Sequence, residues 1–510
     1  MNRPTPTLPR RRLLVASGSA ALVGLAGCST TPAPLNHDRR AVDNLKNLRA
    51  EIALEEPVKG PISLYEAMAR AIKYNLDGRI EAMSESLKLK QAELRRVDML
   101  PALVAQSGFV GRSNDAGSRS RSLLSGNQSL EPSTSSERRS TSADIRASWD
   151  VLDFGLAYVR SLQQAHESSI SAERRRKVLT RIIEDVRTAY WRAVSADRTF
   201  RHLSEVEGMA LKALAQAEAL ESRRVASPLT VLAFQRDLLG VQSEAQKLQR
   251  ELTLAKTQLA ALMNLTPATP YQLVLPDRTD LVPELPGSAN EMVLTGLRFR
   301  PELREAGYQR KITELEDRAS LLRSLPSLKA MLGLNYDSNQ FLYNNDWLDF
   351  SARVSWSLMS VFRRPLEKAA LLAELDVQDQ RDLALTMAVM TQVHVARVRF
   401  IRLSQELSVV RQANGVQTRL TEASRGAYKA RAISQQSLVR EEMNSVLAEV
   451  RYDTAYADLQ NAYANLYASM GLDNFDIKLD GSEPLAQIVD KLEIHWSDRA
   501  LSLPPLPKDS

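Results

Sequence analysis

Hydrophobic and polar positions change period twice along this chain, each time in the same order. Asp144–Val151 alternates strictly: Ile145, Ala147, Trp149 and Val151 share one side, and Asp144, Arg146, Ser148 and Asp150 the other. Phe350–Leu358 repeats the pattern, with Phe350, Ala352, Val354, Trp356 and Leu358 opposite Ser351, Arg353, Ser355 and Ser357. A partner precedes each: Ala102–Arg112 with Leu103, Ala105 and Phe109 on one side, and Leu328–Tyr336 with Leu328, Ala330, Leu332, Leu334 and Tyr336. Period two is strand geometry, and about 9–11 residues with one apolar and one charged face is what a membrane β-barrel strand requires. A surface hairpin of a soluble domain would alternate in the same way. Strands are expected at about 102–112, 144–154, 327–336 and 350–359.

After each strand pair the period lengthens. Residues 155–224 and 365–431 predict two helices, each about 100 Å long at about 1.5 Å per residue. Leu179, Ile182, Val186, Ala189, Ala193, Ala196, Phe200 and Leu203 alternate in steps of three and four, the seam of coiled-coil packing. Thr386, Val389, Val393, Ala396, Phe400, Leu403, Leu407 and Val410 repeat it. Small seam residues allow close helix approach. Polar turns at Val225–Pro228 and Ala432–Gln435 lead into shorter returning helices, expected at about 229–264 and 437–470. A helical stretch also precedes each strand pair, from about Ser63 to Met99 with a break near Asn75, and from about Asn290 to Leu325 with Pro301 at the break. Incoming and returning short helices together match one long helix, which predicts an antiparallel bundle.

The shared order reflects an internal duplication. Residues 66–101 match 291–326 at an offset of 225, through pairs such as Glu66/Glu291, Arg79/Arg304 and Pro101/Pro326. Residues 148–265 match 355–472 at an offset of 207, through Trp149/Trp356, Ser227/Ser434, Met263/Met470 and Leu265/Leu472. One length change of 18 residues suffices, and it falls between the strands of the first copy. The chain therefore divides into repeat 1 (61–265), a Pro-rich linker (266–289), repeat 2 (290–472) and a tail (473–510). Residues 113–142, dense in Ser and Arg, read as a long surface loop; 337–349 is its shorter counterpart.

The N-terminus changes the picture more than bulk composition does. The chain has 510 residues, 44% apolar and 25% charged, with one cysteine. Its mean hydropathy of −0.28 and the absence of a long apolar run exclude helical membrane spans. Residues 1–27 carry Arg3, Arg10, Arg11 and Arg12, no acidic residue, and a short apolar run, which is the pattern of an export signal. The Arg-Arg pair fits a twin-arginine signal as well as a general secretory one. The segment ends Leu25-Ala26-Gly27-Cys28, which resembles the lipobox of bacterial lipoproteins. That resemblance implies a mature chain beginning at Cys28 with covalent lipid on it, followed by a periplasmic segment, 28–60. Ser29 and Thr30 follow without an inner-membrane retention aspartate, which favours the outer membrane. Without the leader the net charge falls from +6 to +2, so the basic balance gives no reason to expect a nucleic-acid partner. His37, His166, His202, His394 and His495 lack metal-ligand spacing, and no catalytic set appears, so neither an enzyme nor a resident metal or organic cofactor is expected.

The signal and lipobox, the two copies of helix–strand–strand–long helix–short helix, the segment Trp149-Asp150-Val151-Leu152-Asp153-Phe154-Gly155, and the endings Leu262-Met263-Asn264-Leu265 and Ser469-Met470-Gly471-Leu472 together resemble the TolC-like outer membrane efflux factor family over about residues 61–472. The resemblance implies a mainly α fold with a small β part: a helical barrel of long coiled-coil hairpins above which each protomer gives four strands to a trimeric twelve-stranded barrel. It implies a lipid-anchored outer-membrane homotrimer reaching into the periplasm of a Gram-negative bacterium. Its partners would be a periplasmic adaptor and an inner-membrane pump or ABC exporter. Small-molecule efflux and type I protein secretion are both compatible with it, and a structural envelope spacer without transport is the alternative class. Lipid-facing Trp149 and Trp356 argue for a conduit.

In the family the adaptor docks at the hairpin tips, here about 223–232 and 430–439. Arg223, Arg224, Ser227, Thr230, Tyr428, Arg431, Ser434, Ser437 and Arg440 would then form the periplasmic entrance. Thr230 and Ser437 occupy positions where the family often has acidic residues, and Arg431 stands where glycine is common. The expectation is an entrance held by polar and packing contacts, without cation selectivity.

Overall fold

The computed structural model describes residues 35–222, 227–266, 269–279, 282–472, 483–499 and 503–505. The described residues up to Pro57 form one unit. It contains helix α1 (His37–Ala53), capped by the Asn36 side chain, which accepts from Arg39 N. Sequence reading assigned no helix there, because α1 buries none of its residues and its few leucines make no continuous face.

The second unit, from Val58 onward, carries both repeats. Repeat 1 runs α2 (Leu64–Tyr74), α3 (Leu76–Val97), β1 (Ala102–Gly111), β2 (Arg139–Asp150), α4 (Val151–Ser222) and α5 (Pro228–Leu262). Repeat 2 runs α6 (Ala289–Phe299), α7 (Pro301–Arg323), β3 (Ser327–Asp337), β4 (Asp346–Ser355), α8 (Leu358–Lys429) and α9 (Gln435–Ser469). A helix in the tail, α10 (Leu485–Arg499), was not anticipated; it lays Leu485, Ile488 and Leu492 into the core beside Met68 and Ile72 of α2.

Local chemistry sets the breaks. Asn75 caps the end of α2 and the start of α3, accepting from Asp77 N and Gly78 N. Pro301 opens α7 at the matching point, where its missing N–H would have no helical partner. Both long helices span 72 residues and both returning helices 35.

Two boundaries differ from expectation at the strand-to-helix junctions. β2 was expected to continue to 154, but the Asp150 carboxylate accepts from Leu152 N and Asp153 N and turns the chain into α4 at Val151. β4 was expected at 350–359 with the long helix starting at Pro365. Instead β4 ends at Ser355 and α8 starts at Leu358, leaving Pro365 inside the helix at the cost of one backbone hydrogen bond.

The four strands form one antiparallel sheet in the order β1-β2-β3-β4. The helices pack in matching order: α4 touches α2, α3, α5, α7 and α9, and α8 touches α6, α7 and α9. Predicted seam residues Ile182, Val186, Ala189, Ala193 and Ala196 are buried in α4, and Val389, Val393, Phe400 and Leu407 in α8. Phe200 departs from the seam and is 50% exposed, because α4 below Ala196 turns Ala210, Ala213 and Ala217 inward instead.

Candidate conduit surfaces

The sheet register puts the predicted apolar positions that fall within the four strands on one face, leaving Val151, Trp356 and Leu358 outside them. Leu103 pairs with Ala147 and Ala105 with Ile145; Ile145 pairs onward with Leu334 and Ala147 with Leu332; Leu334 meets Leu348 and Leu332 meets Phe350. The result is a continuous apolar face across four strands, with Phe109, Phe350 and Val354 each about 70% exposed. The other face is mostly polar, with Asp144, Arg146, Asp150, Lys329, Asn335, Asp349 and Arg353, and also carries Val104, Val110, Met331 and Trp347. A Cβ on Gly333 would run into the Asp349 carboxylate, which accepts from Asn335 Nδ2 at 2.9 Å. Among the described residues neither β1 nor β4 has a second strand neighbour. Among the described residues no helix is long and apolar enough to cross a membrane.

The two tryptophans fare differently. Trp149 lies in β2 on the apolar face, 45% exposed and edge-on to Phe154 at 5.8 Å. Trp356 lies beyond the end of β4, so it is not a strand residue. Its indole Nε1 donates to the Ser324 carbonyl at 3.0 Å and ties the strand-to-helix junction to the end of α7.

At the hairpin tips, Arg223 and Arg224 lie outside the described residues, as does the Thr230 side chain and, at the N-terminus, Cys28. Ser227 occupies the N-cap position of α5 without a capping bond from its side chain, and Pro228 takes the first helical position. The second tip is fully described. Arg431 has φ +59°, the left-handed conformation that makes glycine common at such a position. Around it Ala432 N donates to Ala427 O at 2.8 Å and Arg431 N to Tyr428 O at 2.9 Å, closing the end of α8. Ser434 then starts α9 by accepting from Ser437 N at 3.2 Å. Tyr428 is 39% exposed. Acidic partners unforeseen in the sequence lie close by: Glu442 accepts from Arg425 at 3.1 Å and Glu441 sits 3.5 Å from Arg440. They had been overlooked because the equivalent acidic positions were sought at Thr230 and Ser437, about one turn earlier.

Midway along the helices the linker is fastened across the layer. Tyr190 of α4 donates to the Val274 carbonyl at 2.9 Å, and Arg198 bridges Asp453 of α9 (2.8 Å) and the Pro276 carbonyl (2.5 Å). Arg278 of the linker reaches Asp453 at 2.8 Å and Glu449 at 3.2 Å. The Asp453 side chain is only 1% exposed. Burial pushes its carboxyl above the ordinary value, against the pull of the two guanidinium groups. Nothing in the periodicity marks Asp453 as buried; an arginine amid the prolines of the linker is the one available signal.

Comparisons with known proteins follow this geometry. Residues 79–265 match the family model described as outer membrane efflux protein. The Neisseria gonorrhoeae MtrE outer membrane channel in its open state has a TM-score of 0.59 at 19% identity, over 80% of this chain and 88% of that one. The Campylobacter jejuni CmeC outer membrane channel gives 0.61 at 13% identity, over 87% and 94%. A structure of CusC, described in terms of folding and transmembrane channel formation, gives 0.61 at 16% identity, over 82% and 95%. At these identities the likeness is one of fold. No curated protein sequence matches the chain.

Proposed function

We propose, from the match of residues 79–265 to the outer membrane efflux protein family model, that three copies form a passive outer-membrane conduit for small molecules. It would be the exit duct of a tripartite export system and not an enzyme. The observation carrying this reading is the four-strand sheet, apolar on one face and mostly polar on the other, with both edges open. Open edges and an apolar face are not tolerated separately in lipid or in water, but closing them into a ring satisfies both.

The helices support the same closure. On the α3 edge Ile80, Met83, Leu87, Leu94 and Val97 are exposed at heptad spacing. At the matching height on the α8 edge Leu366, Leu372, Val377, Leu383 and Met387 are exposed. Two unpartnered seams at opposite ends of one layer are complementary head to tail, which generates a cyclic assembly.

Energy for transport has to come from partners, an adaptor at the tips and an inner-membrane pump. Cys28 would anchor the chain; two or more acyl chains make such anchoring durable, because one is marginal. Single-channel recording in planar bilayers, together with native mass spectrometry, tests the conduit. A conducting, SDS-resistant trimer is expected, and a channel-inactive, wholly helical dimer would refute it. Reversal potentials under a salt gradient should reveal no strong cation selectivity. Intact mass of the C28A variant should lack the lipid increment of the wild type.

A further inference from the structure

We propose that the hairpin over residues 112–138 is an external gate whose Leu123–Leu124 apex meets the apices of the other two copies over the barrel mouth. The proposal rests on the trimeric conduit proposed above.

The segment is built, not slack. Beyond the last ladder pair, Gly111 with Arg139, pairing continues: Arg112 N donates to Arg138 O at 2.8 Å, and Ser118 and Ser133 exchange bonds of 2.9 and 3.0 Å. Arg121 pairs with Gln128, and Arg138 grips Asp115 across the arms with both guanidinium nitrogens. The base is pinned to the short β3–β4 hairpin, where Asn339 Nδ2 donates to Ser135 O at 3.1 Å and Ser338 N to Thr141 O at 3.0 Å. At the apex Gly126, with φ +67°, closes the turn through Gly126 N to Ser122 O at 3.0 Å, and Arg121 Nε donates to its carbonyl at 3.0 Å. This ordered turn holds Leu123 and Leu124 out at 102% and 101% exposure. The second repeat has no such arm; its turn between Asp337 and Asp346 is only 8 residues long.

Reach and charge select the occupant. Twelve strands about 4.8 Å apart and tilted by about 40° close at a radius of about 12 Å. The arm from Gly111 to Leu123 could span at most about 40 Å at about 3.3 Å per residue, enough to rise and still reach the axis. The first arm carries Arg112, Asp115, Arg119 and Arg121 and the second Glu131, Glu137 and Arg138; with Asp115 and Arg138 paired to each other, the first arm is left basic and the second acidic. Because the second arm leans on its own β3–β4 hairpin, the basic arm faces the neighbouring copy, so basic and acidic edges alternate around a ring. An anionic lipid surface would repel the acidic arm, whereas another copy of this hairpin complements both. Three adjoining leucine pairs on the axis would make an apolar constriction of the kind that closes by excluding water.

Cys28 is the only native cysteine, so L123C adds one thiol remote from it. Oxidative crosslinking of L123C on whole cells and in the purified trimer should give disulfide-linked dimers. In a second variant, S351C reports from the polar face of β4, and adding L123D/L124D should speed its labelling by a bulky external maleimide about tenfold. The apex leucines pack on nothing, so these changes leave folding untouched. A trimer by native mass spectrometry that gives no dimers overturns the gate. So does unchanged labelling, or a disulfide from L123C to a different protein alone. A chain that runs as a monomer would instead count against the trimeric conduit, and the gate would fall with it.

Discussion

The two long helices have the same length and the same place in their repeats, yet they live in different surroundings. α4 packs against five helices, α2, α3, α5, α7 and α9, whereas α8 packs against three, α6, α7 and α9. Ala193 of α4 is fully buried; its repeat equivalent in α8, Phe400, is 3% exposed, so a larger side chain fills a looser seam. Val395, on the opposite side of α8, is 60% exposed. Duplication thus supplied two equal helices, and position in the layer made one a centre and the other an edge.

The sharpest way to break this comparison is to put a charge in each. A193D places an unpaired carboxylate in a closed seam and should cost more than about 4 kcal/mol, abolishing folded protein in circular dichroism melts. V395D should leave the protomer's melting curve unchanged and convert the trimer to monomers by native mass spectrometry. If both variants fold and trimerise, α4 is not central and α8 is not an edge.

A second pair of equivalents lies where each returning helix ends. Asn264 and Gly471 both have positive φ, +60° and +71°. In each case the following residue's N–H reaches back into the helix, Leu265 N to Ala260 O at 2.9 Å and Leu472 N to Tyr467 O at 3.0 Å. Only Gly471 is crowded: a Cβ there would lie 2.7 Å from the Phe299 backbone carbon and oxygen. G471N should therefore cost on the order of 3 kcal/mol, more than the left-handed conformation alone, and N264G less than about 1 kcal/mol. Urea unfolding of the two variants measures the difference. The sheet offers a milder version. A Cβ on Gly108 would meet Ser142 Oγ at 3.4 Å, an acceptable contact, whereas Gly333 is crowded by the Asp349 side chain, which can swing away. G333A should cost about 1 kcal/mol and G108A close to nothing.

Much of this architecture was legible because periodicity is a property of the faces an element buries. The four strands, the two long helices and the break at Asn75 follow directly from alternation, heptads and caps. What escaped was decided by single side chains acting against the pattern. Asp150 belongs to the polar side of an alternating run, yet its carboxylate caps α4 and ends the strand. Pro365 reads as a helix start, but α8 begins seven residues earlier and absorbs it. Trp356 continues the apolar alternation of β4, while its indole N–H is drawn to Ser324 O. Asp453 is polar in a helix of mixed composition, and only its meeting with Arg198 and Arg278 from two other segments makes it a buried node. Contacts between distant segments leave no local trace in sequence.

The smallest effect separates α4 from α8 by chemistry instead of packing. His166 of α4 stacks on Tyr308 of α7, with centroids 5.9 Å apart and planes at 29°. Its repeat equivalent in α8 is Ala373, which cannot titrate. Burial first, and then the charge of Lys311, hold the His166 imidazole below its ordinary value of 6.5. The folded state then prefers the neutral ring. Its contribution to stability is present above about pH 6.5 and is lost as pH falls through the depressed folded value, since the unfolded chain takes up the proton first. The residue is only partly buried, so screening keeps the loss below about 0.5 kcal/mol. H166Q should therefore reduce the fall in Tm between pH 7.5 and 5.5 by only a degree or so, whereas A373Q should leave it unaltered. An equal change in both variants would mean that the pH dependence of the helical layer arises elsewhere than at the α4–α7 contact.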